Sequence, residues 1–295
     1  MEPARIDFRD QISRNKVYSF MLIAVIFAVL ILIGYIISFA FSPGYFFIIM
    51  IIAIIISLSY ILISYYKSDK IAIASVGAKE ASREKYRQYY NSVEGLTLAS
   101  GLPMPKLYVM ESSGINAFAS GRNPKNAVIC VTIGALEKLN KQELEGVLSH
   151  ELSHIANFDI RYMTLATVMV GMIAIISEIF LRSLWFKSGG DNDSKGNAIF
   201  IIIGIVLAIL APIIVQLVQL AISRKREYAA DASAVKFTRT PTGLIGALKK
   251  IKSENTTPEK KVSKAIAPLF FANPMKNITS THPPIDDRIK TLEKM

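Results

Sequence analysis

The chain has 295 residues, of which 52% are hydrophobic, and a formal net charge of +11. This apolar fraction is too high for an ordinary soluble protein, and the single cysteine, Cys130, excludes an intramolecular disulfide. The basic residues stand beside apolar runs and are not interleaved with aromatic residues, which disfavours nucleic-acid binding and favours contact with anionic lipid.

Four apolar runs are predicted to cross a membrane, because each approaches the roughly 20 residues that a helix needs to span the hydrocarbon core. They cover about 17–41, 45–66, 163–180 and 198–222 and are expected to form two hairpins. Lys and Arg are concentrated before the first run, after the second and after the fourth. The positive-inside rule therefore predicts that both termini and the segment 67–161 are cytoplasmic.

The apolar runs divide the chain into four parts. Residues 1–66 are a tail with the first hairpin, 67–161 the first part of a catalytic domain, 162–222 the second hairpin, and 223–295 the second part of that domain. Within the domain the patterns predict helices at about 81–99, 141–157, 223–238 and 242–253, and strands at 107–110 and 127–133. This is an α-rich α+β domain.

The helix that begins at Lys141 carries the main motif. Asn140 is a predicted N-cap with Glu143 three residues on, as in a capping box. His150 and His154 in His-Glu-Leu-Ser-His lie four residues apart, so on a helix both project from one face and can share one zinc ion. Glu151 is then placed to act as general base and acid on a zinc-bound water.

A catalytic zinc needs a third protein ligand, and a carboxylate is the economical choice in a chain with three histidines. Glu227 is the best candidate, and Asp231 on the same helical face could accept a hydrogen bond from a zinc-bound histidine. On the residues alone, a solvated helix in which Arg224 pairs with Glu227 remains the alternative.

Four segments in a fixed order resemble the HtpX family of membrane-bound zinc metalloproteases. In chain order they are NAFASG at 116–121, HELSH at 150–154, REYAAD at 226–231 and THPP at 281–284. The resemblance implies a zincin-type, gluzincin-like domain with about four transmembrane helices, one Zn²⁺ held by His150, His154 and Glu227, and cleavage of misfolded or damaged membrane proteins at the cytoplasmic membrane. Phe158 departs from the family, whose members commonly have a small residue there.

Two further sites follow from the resemblance. Residues Asn116, Ala117, Phe118 and Ala119 would form an edge strand to which a polypeptide substrate adds as an extra strand, or else an ordinary exposed loop. His282 would stabilise the transition-state oxyanion or reversibly occupy the open zinc position, or else lie on the surface before a proline turn.

Two other functional classes compete with the protease. A membrane adaptor with a purely structural zinc is one, and a transporter that uses Glu178 near its third apolar run is the other. The absence of an inverted sequence repeat disfavours the transporter.

Overall fold

A hairpin of two long helices opens the part of the chain that the computed structural model describes, namely residues 8–40, 43–166, 224–254, 269–272 and 283–295. Helix α1 is Phe8–Ala40 and helix α2 is Phe46–Tyr66. The two helices are in close contact at Gly34, because a Cβ atom there would overlap the side chain of Ala53. A glycine at this position therefore allows the two helices to pack tightly.

Among the described residues, α2 alone is both long and apolar enough to cross a membrane. The apolar stretch within α1, Lys16–Leu32, is shorter. The predicted runs 163–180 and 198–222 lie outside the described residues, apart from positions 163–166. One span is therefore supported by the structure, and the arrangement with four spans stays a prediction.

The sheet has four strands in the order β1-β2-β4-β3. These strands are Lys79–Glu80, Lys106–Met110, Ala117–Gly121 and Ala127–Thr132 in chain order. The pair β2–β4 is parallel, whereas β1–β2 and β3–β4 are antiparallel. Every residue of β4 is buried, as expected for a strand covered on both faces. Strands β2 and β4 confirm the sequence prediction, β3 is an edge strand as the resemblance implied, and β1 was not predicted.

The remaining helices pack on the sheet or on one another. They are α3 Ser68–Ser75, α4 Arg87–Ser100, α5 Ile133–Lys138, α6 Lys141–Ala156, α7 at 159–166, α8 Arg224–Thr238, α9 Thr242–Ser253 and α10 Ile285–Leu292. Helix α4 begins six residues later than predicted, because Ala81 continues the backbone pairing of β1 by donating its amide to Leu107. Its end is marked by Gly101, which has a φ of 72° in the left-handed region.

Helix α6 is buried along most of its length, between strand β3 and helices α4, α8 and α9. The predicted capping box is confirmed: the Glu143 amide donates to Asn140 Oδ1 at 2.9 Å, and the Asn140 amide donates to Glu143 Oε2 at 2.8 Å. Gly146 allows α9 to approach, since a Cβ there would overlap the backbone of Leu244. The capping box therefore sets where α6 begins, and the close contact at Gly146 sets its position against α9. Both features lie N-terminal to the functional residues of the helix.

Candidate metal centre

Helix α6 brings the two predicted histidines together one turn apart. His150 and His154 are 1% and 5% exposed, and their Nε2 atoms are 3.1 Å apart. The rings meet edge to face, with centroids 4.7 Å apart. Both Nε2 atoms therefore point to one place beside the helix.

Glu227 of helix α8 reaches the same place. Its Oε2 lies 3.6 Å from His150 Nε2, and its Oε1 lies 3.5 Å from His154 Nε2. The carboxylate is 1% exposed. One ligand atom from each of these three residues lies within 4.8 Å of the others, and no other such group of His, Cys, Asp or Glu occurs among the described residues.

The opposite nitrogens of the two imidazoles are held by carboxylates. His150 Nδ1 is 2.9 Å from Asp231 Oδ1, and His154 Nδ1 is 3.1 Å from Asp159 Oδ2. A carboxylate only accepts, so each Nδ1 donates, and in the neutral imidazole each Nε2 then presents a lone pair. Asp231 had been predicted as such a partner. Asp159 had not, although its position just beyond the end of α6 was a signal.

These donors fit a zinc ion. Tetrahedral zinc with Zn–N distances of 2.0–2.1 Å separates its ligand atoms by about 3.3 Å, close to the 3.1 Å, 3.5 Å and 3.6 Å found here. When both imidazoles are neutral, their Nε2 lone pairs face each other at 3.1 Å and repel, and a cation between them removes that repulsion. Two His and one Glu are also a donor set of catalytic zinc sites.

Glu151 is buried beside the three ligands. Its side chain is 2% exposed, and the backbone of Ala119 lies beside its carboxylate. Burial raises the pKa of Glu151, while the two histidines oppose that rise. A carboxyl group with a raised pKa is suited to accept a proton and to release it again.

The other carboxylates set the electrostatics of the centre. Burial lowers the pKa of His154, but the hydrogen bond that its Nδ1 donates to Asp159 and the charges of Glu227 and Glu151 raise it to about 9. Burial raises the pKa of Asp231, but Arg288 and His150 bring it down to about 2. A divalent cation between the ligands would repel protons and favour a neutral His154.

Arg288 is a residue of the centre that the sequence analysis missed. It is 1% exposed and holds Asp231 with two hydrogen bonds, Nε to Oδ2 at 2.9 Å and Nη2 to Oδ1 at 2.7 Å. Its guanidinium also lies 4.0 Å from Glu227 Oε2. The signal was its position in helix α10, where it shares the buried side with Ile289 and Leu292. A cation on an apolar helix face needs a buried partner.

Residues 269–272 lie against the start of β3. The Phe271 amide donates to the Ala117 carbonyl at 2.8 Å, and the Asn116 side chain pairs with both backbone groups of Ala272. Phe270 packs on Phe118 with centroids 5.1 Å apart. The outer edge of β3 is therefore already paired at Asn116 and Ala117, while the Ala119 backbone lies beside Glu151.

The structure describes Phe158 but not His282, the two other residues that the sequence pointed to. Phe158 adopts a φ of 59°, in the left-handed region that a residue with a Cβ seldom enters. A small residue suits that conformation better, which gives a physical reason for the family preference. His282 lies outside the described residues, and the chain resumes at Pro283 before α10.

Comparisons with known proteins agree with this site. The family model for peptidase family M48 matches residues 81–295. The chain is 45% identical over 271 residues to a "Protease HtpX homolog" of Thermoanaerobacter pseudethanolicus, covering 86% of this chain and 90% of that one. A protein of the same name from Dictyoglomus thermophilum is 42% identical over 292 residues, covering 98% and 95%.

A solved structure shares the fold. The crystal structure of S. mikatae Ste24p superposes with a TM-score of 0.50 at 19% identity, covering 96% of this chain and 66% of that one. Membership of family M48 implies a metal, typically zinc. The chain therefore belongs to peptidase family M48, and it is a metalloprotease.

Proposed function

We propose that the protein is a zinc-dependent endopeptidase of the cell membrane that cuts misfolded or damaged membrane proteins on the cytoplasmic side. The observation that carries the proposal is the convergence of His150, His154 and Glu227 within 4.8 Å, with the buried carboxylate of Glu151 beside them. Bound zinc, one ion per chain, would acidify a water molecule and polarise the scissile carbonyl.

The residues of the chain then have separate tasks in hydrolysis. Glu151 accepts a proton from water as the water oxygen bonds to the carbonyl carbon, and it donates that proton to the amine as the C–N bond breaks. The backbone of Ala119 lies beside the Glu151 carboxylate. Asp231 and Asp159 fix the orientation of the two imidazoles, and His282 is proposed to stabilise the oxyanion or to cap the metal.

The substrate is proposed to bind as an extended strand along β3, at the Ala119 end of the segment Asn116, Ala117, Phe118 and Ala119. Support comes from residues 269–272, since Phe271 already pairs with Ala117 as an added strand would. A substrate would therefore pair farther along, near the carbonyl of Ala119. That position lies next to Glu151, where the scissile bond must be.

In this proposal the catalytic domain consists of two parts, 67–161 and 223–295. Both parts lie on the cytoplasmic side of four membrane spans. Lys67, Lys70 and Arg161 near the ends of apolar runs support this orientation through the positive-inside rule. Helix α6 is followed almost at once by α7, which contacts the hairpin through Tyr162. The metal centre would therefore lie near the membrane surface.

The experiment is cleavage of casein by the full-length protein in detergent, with zinc content measured in parallel. Glu151→Gln keeps the size of the side chain and removes the base, so cleavage should fall by about 10² to 10⁴-fold while zinc stays near one per chain. Glu145→Gln is the control, because Glu145 lies on the same helix in a partly exposed pair with Lys141.

Two outcomes would contradict the proposal. Cleavage by Glu151→Gln at the native rate would remove the assigned base. Zinc binding without cleavage by the native chain, across several unfolded substrates, would instead favour an adaptor with a structural zinc.

A further inference from the structure

The membrane-proximal end of helix α2 carries a cation on an aromatic ring. Arg122, which follows strand β3 directly, donates from Nη1 to the carbonyl of Tyr66 at 3.1 Å. Its guanidinium carbon lies 4.9 Å from the centre of the Tyr66 ring. Tyr66 is the last residue of α2 and is 53% exposed. A guanidinium has five donors, so one bond to a carbonyl leaves most of them available.

An apolar stripe leads along α2 to this point. Ile51, Ile55, Leu58, Leu62 and Tyr66 are spaced by three or four residues and are each 48% to 58% exposed. Residues at this spacing share one face of a helix. The stripe covers 15 residue steps, or about 22 Å along the axis, which is comparable to an extended acyl chain.

The charges around Tyr66 favour an anion. Lys67 and Lys70 are exposed just beyond α2, and Lys125 is exposed three residues after Arg122. Asp69 is the only acidic residue from 46 to 78, and the segment 112–136 has none. Positive charge therefore exceeds negative charge where the apolar stripe ends.

We propose that an anionic glycerophospholipid binds this surface, with its phosphate on Arg122 and Lys67 and one acyl chain along the α2 stripe. An apolar strip that ends at an interfacial tyrosine and a guanidinium matches the layers of such a lipid. The bound headgroup lies at the end of β3, so it fixes the height of the metal centre above the membrane. Lipid binding here depends on membrane association and not on the proposed cleavage.

The test is a thermal-unfolding titration of the full-length protein in detergent with dioctanoyl-phosphatidylglycerol. Dioctanoyl-phosphatidylcholine and inorganic phosphate are titrated in parallel. Phosphatidylcholine has the same acyl chains without the net negative charge, so it separates the effect of the charge from that of the chains. We expect phosphatidylglycerol to raise the unfolding temperature saturably and the other two to have little effect. Arg122→Gln should weaken binding about fivefold, because one basic residue near an anionic headgroup contributes about that factor.

Two variants guard the conclusion. Lys67→Gln should also weaken lipid binding about fivefold. Because this variant keeps the contact of Arg122 with α2, it still tests the proposal if Arg122→Gln fails to fold. Arg83→Gln is the control, because Arg83 also stacks on a tyrosine, Tyr90, but is neutralised by Glu94 at 2.7 Å. Equal shifts with both lipids, a shift with phosphate alone, or native affinity in both Arg122→Gln and Lys67→Gln would overturn the proposal.

Discussion

Arg288 offers the sharpest test of how the metal centre is held. Replacing it with Met removes the guanidinium that holds Asp231, which is 1% exposed, and leaves that carboxylate with His150 as its partner. Breaking a buried ion pair from one side costs about 3 to 5 kcal/mol. For a chain of this size the unfolding temperature should fall by about 10 °C.

The same change should weaken zinc binding. Asp231 orients His150, and loss of a group that positions a ligand typically costs about 10 to 100-fold in metal affinity. Affinity can be measured by competition with a chromogenic chelator on the full-length protein in detergent. Arg288→Lys, which keeps the charge but not the two-pronged contact, should lie between Met and the native residue.

A double variant separates packing from positioning. Arg288→Met with Asp231→Leu removes both members of this buried ion pair, so much of the lost stability should return. Zinc affinity should stay low, because His150 still lacks its acceptor. Native unfolding temperature and native zinc affinity in Arg288→Met alone would refute the reasoning.

Three other predictions follow from particular residues. Because the pKa of Asp231 is about 2, below its ordinary 3.8, its contribution to stability is complete above pH 4 and is lost as the pH falls toward 2. Acid-unfolding curves of the native protein should therefore show a loss of about 2 kcal/mol in the free energy of unfolding over this range. The Asp231→Asn variant should lack that loss. Gly146→Ala should destabilise the fold because its Cβ would overlap the backbone of helix α9, whereas Gly95→Ala on helix α4, with open space around it, should raise the unfolding temperature slightly. At Phe158, with φ of 59°, Asn should give a protein about 1 kcal/mol more stable than Val in thermal scans, because a β-branched residue suits the left-handed region least; equal stability of the two variants would contradict the strain argument.

Features of short range were predictable from the sequence. The capping box at Asn140 and the spacing of His150 and His154 depend on contacts within one helix, and the apolar run of α2 depends on composition alone. Each follows from helix geometry and needs no knowledge of the rest of the chain. For that reason the helix of the metal centre was predicted with its start and its functional face.

Features that join distant segments needed the tertiary structure or a family resemblance. Glu227 lies 73 residues after His154, and the residues alone allowed it to be a solvated helix residue. Strand β1 has two residues, too few for a period to be read, and it exists because β2 offers it an open edge. Residues 269–272 were missed as a partner of β3 for the same reason.

The pattern of amino acids is enough to identify which side chains can bind a metal and which helix carries two of them. Which groups surround these side chains depends on the packing of distant segments, which places Arg288 on Asp231 and Glu227 beside His150 and His154. Helix periodicity acts over a few residues and is visible in any window of the chain. The pairing of a buried charge depends on which segments meet in the core, and only the packing of α6, α8 and α10 brings those segments together.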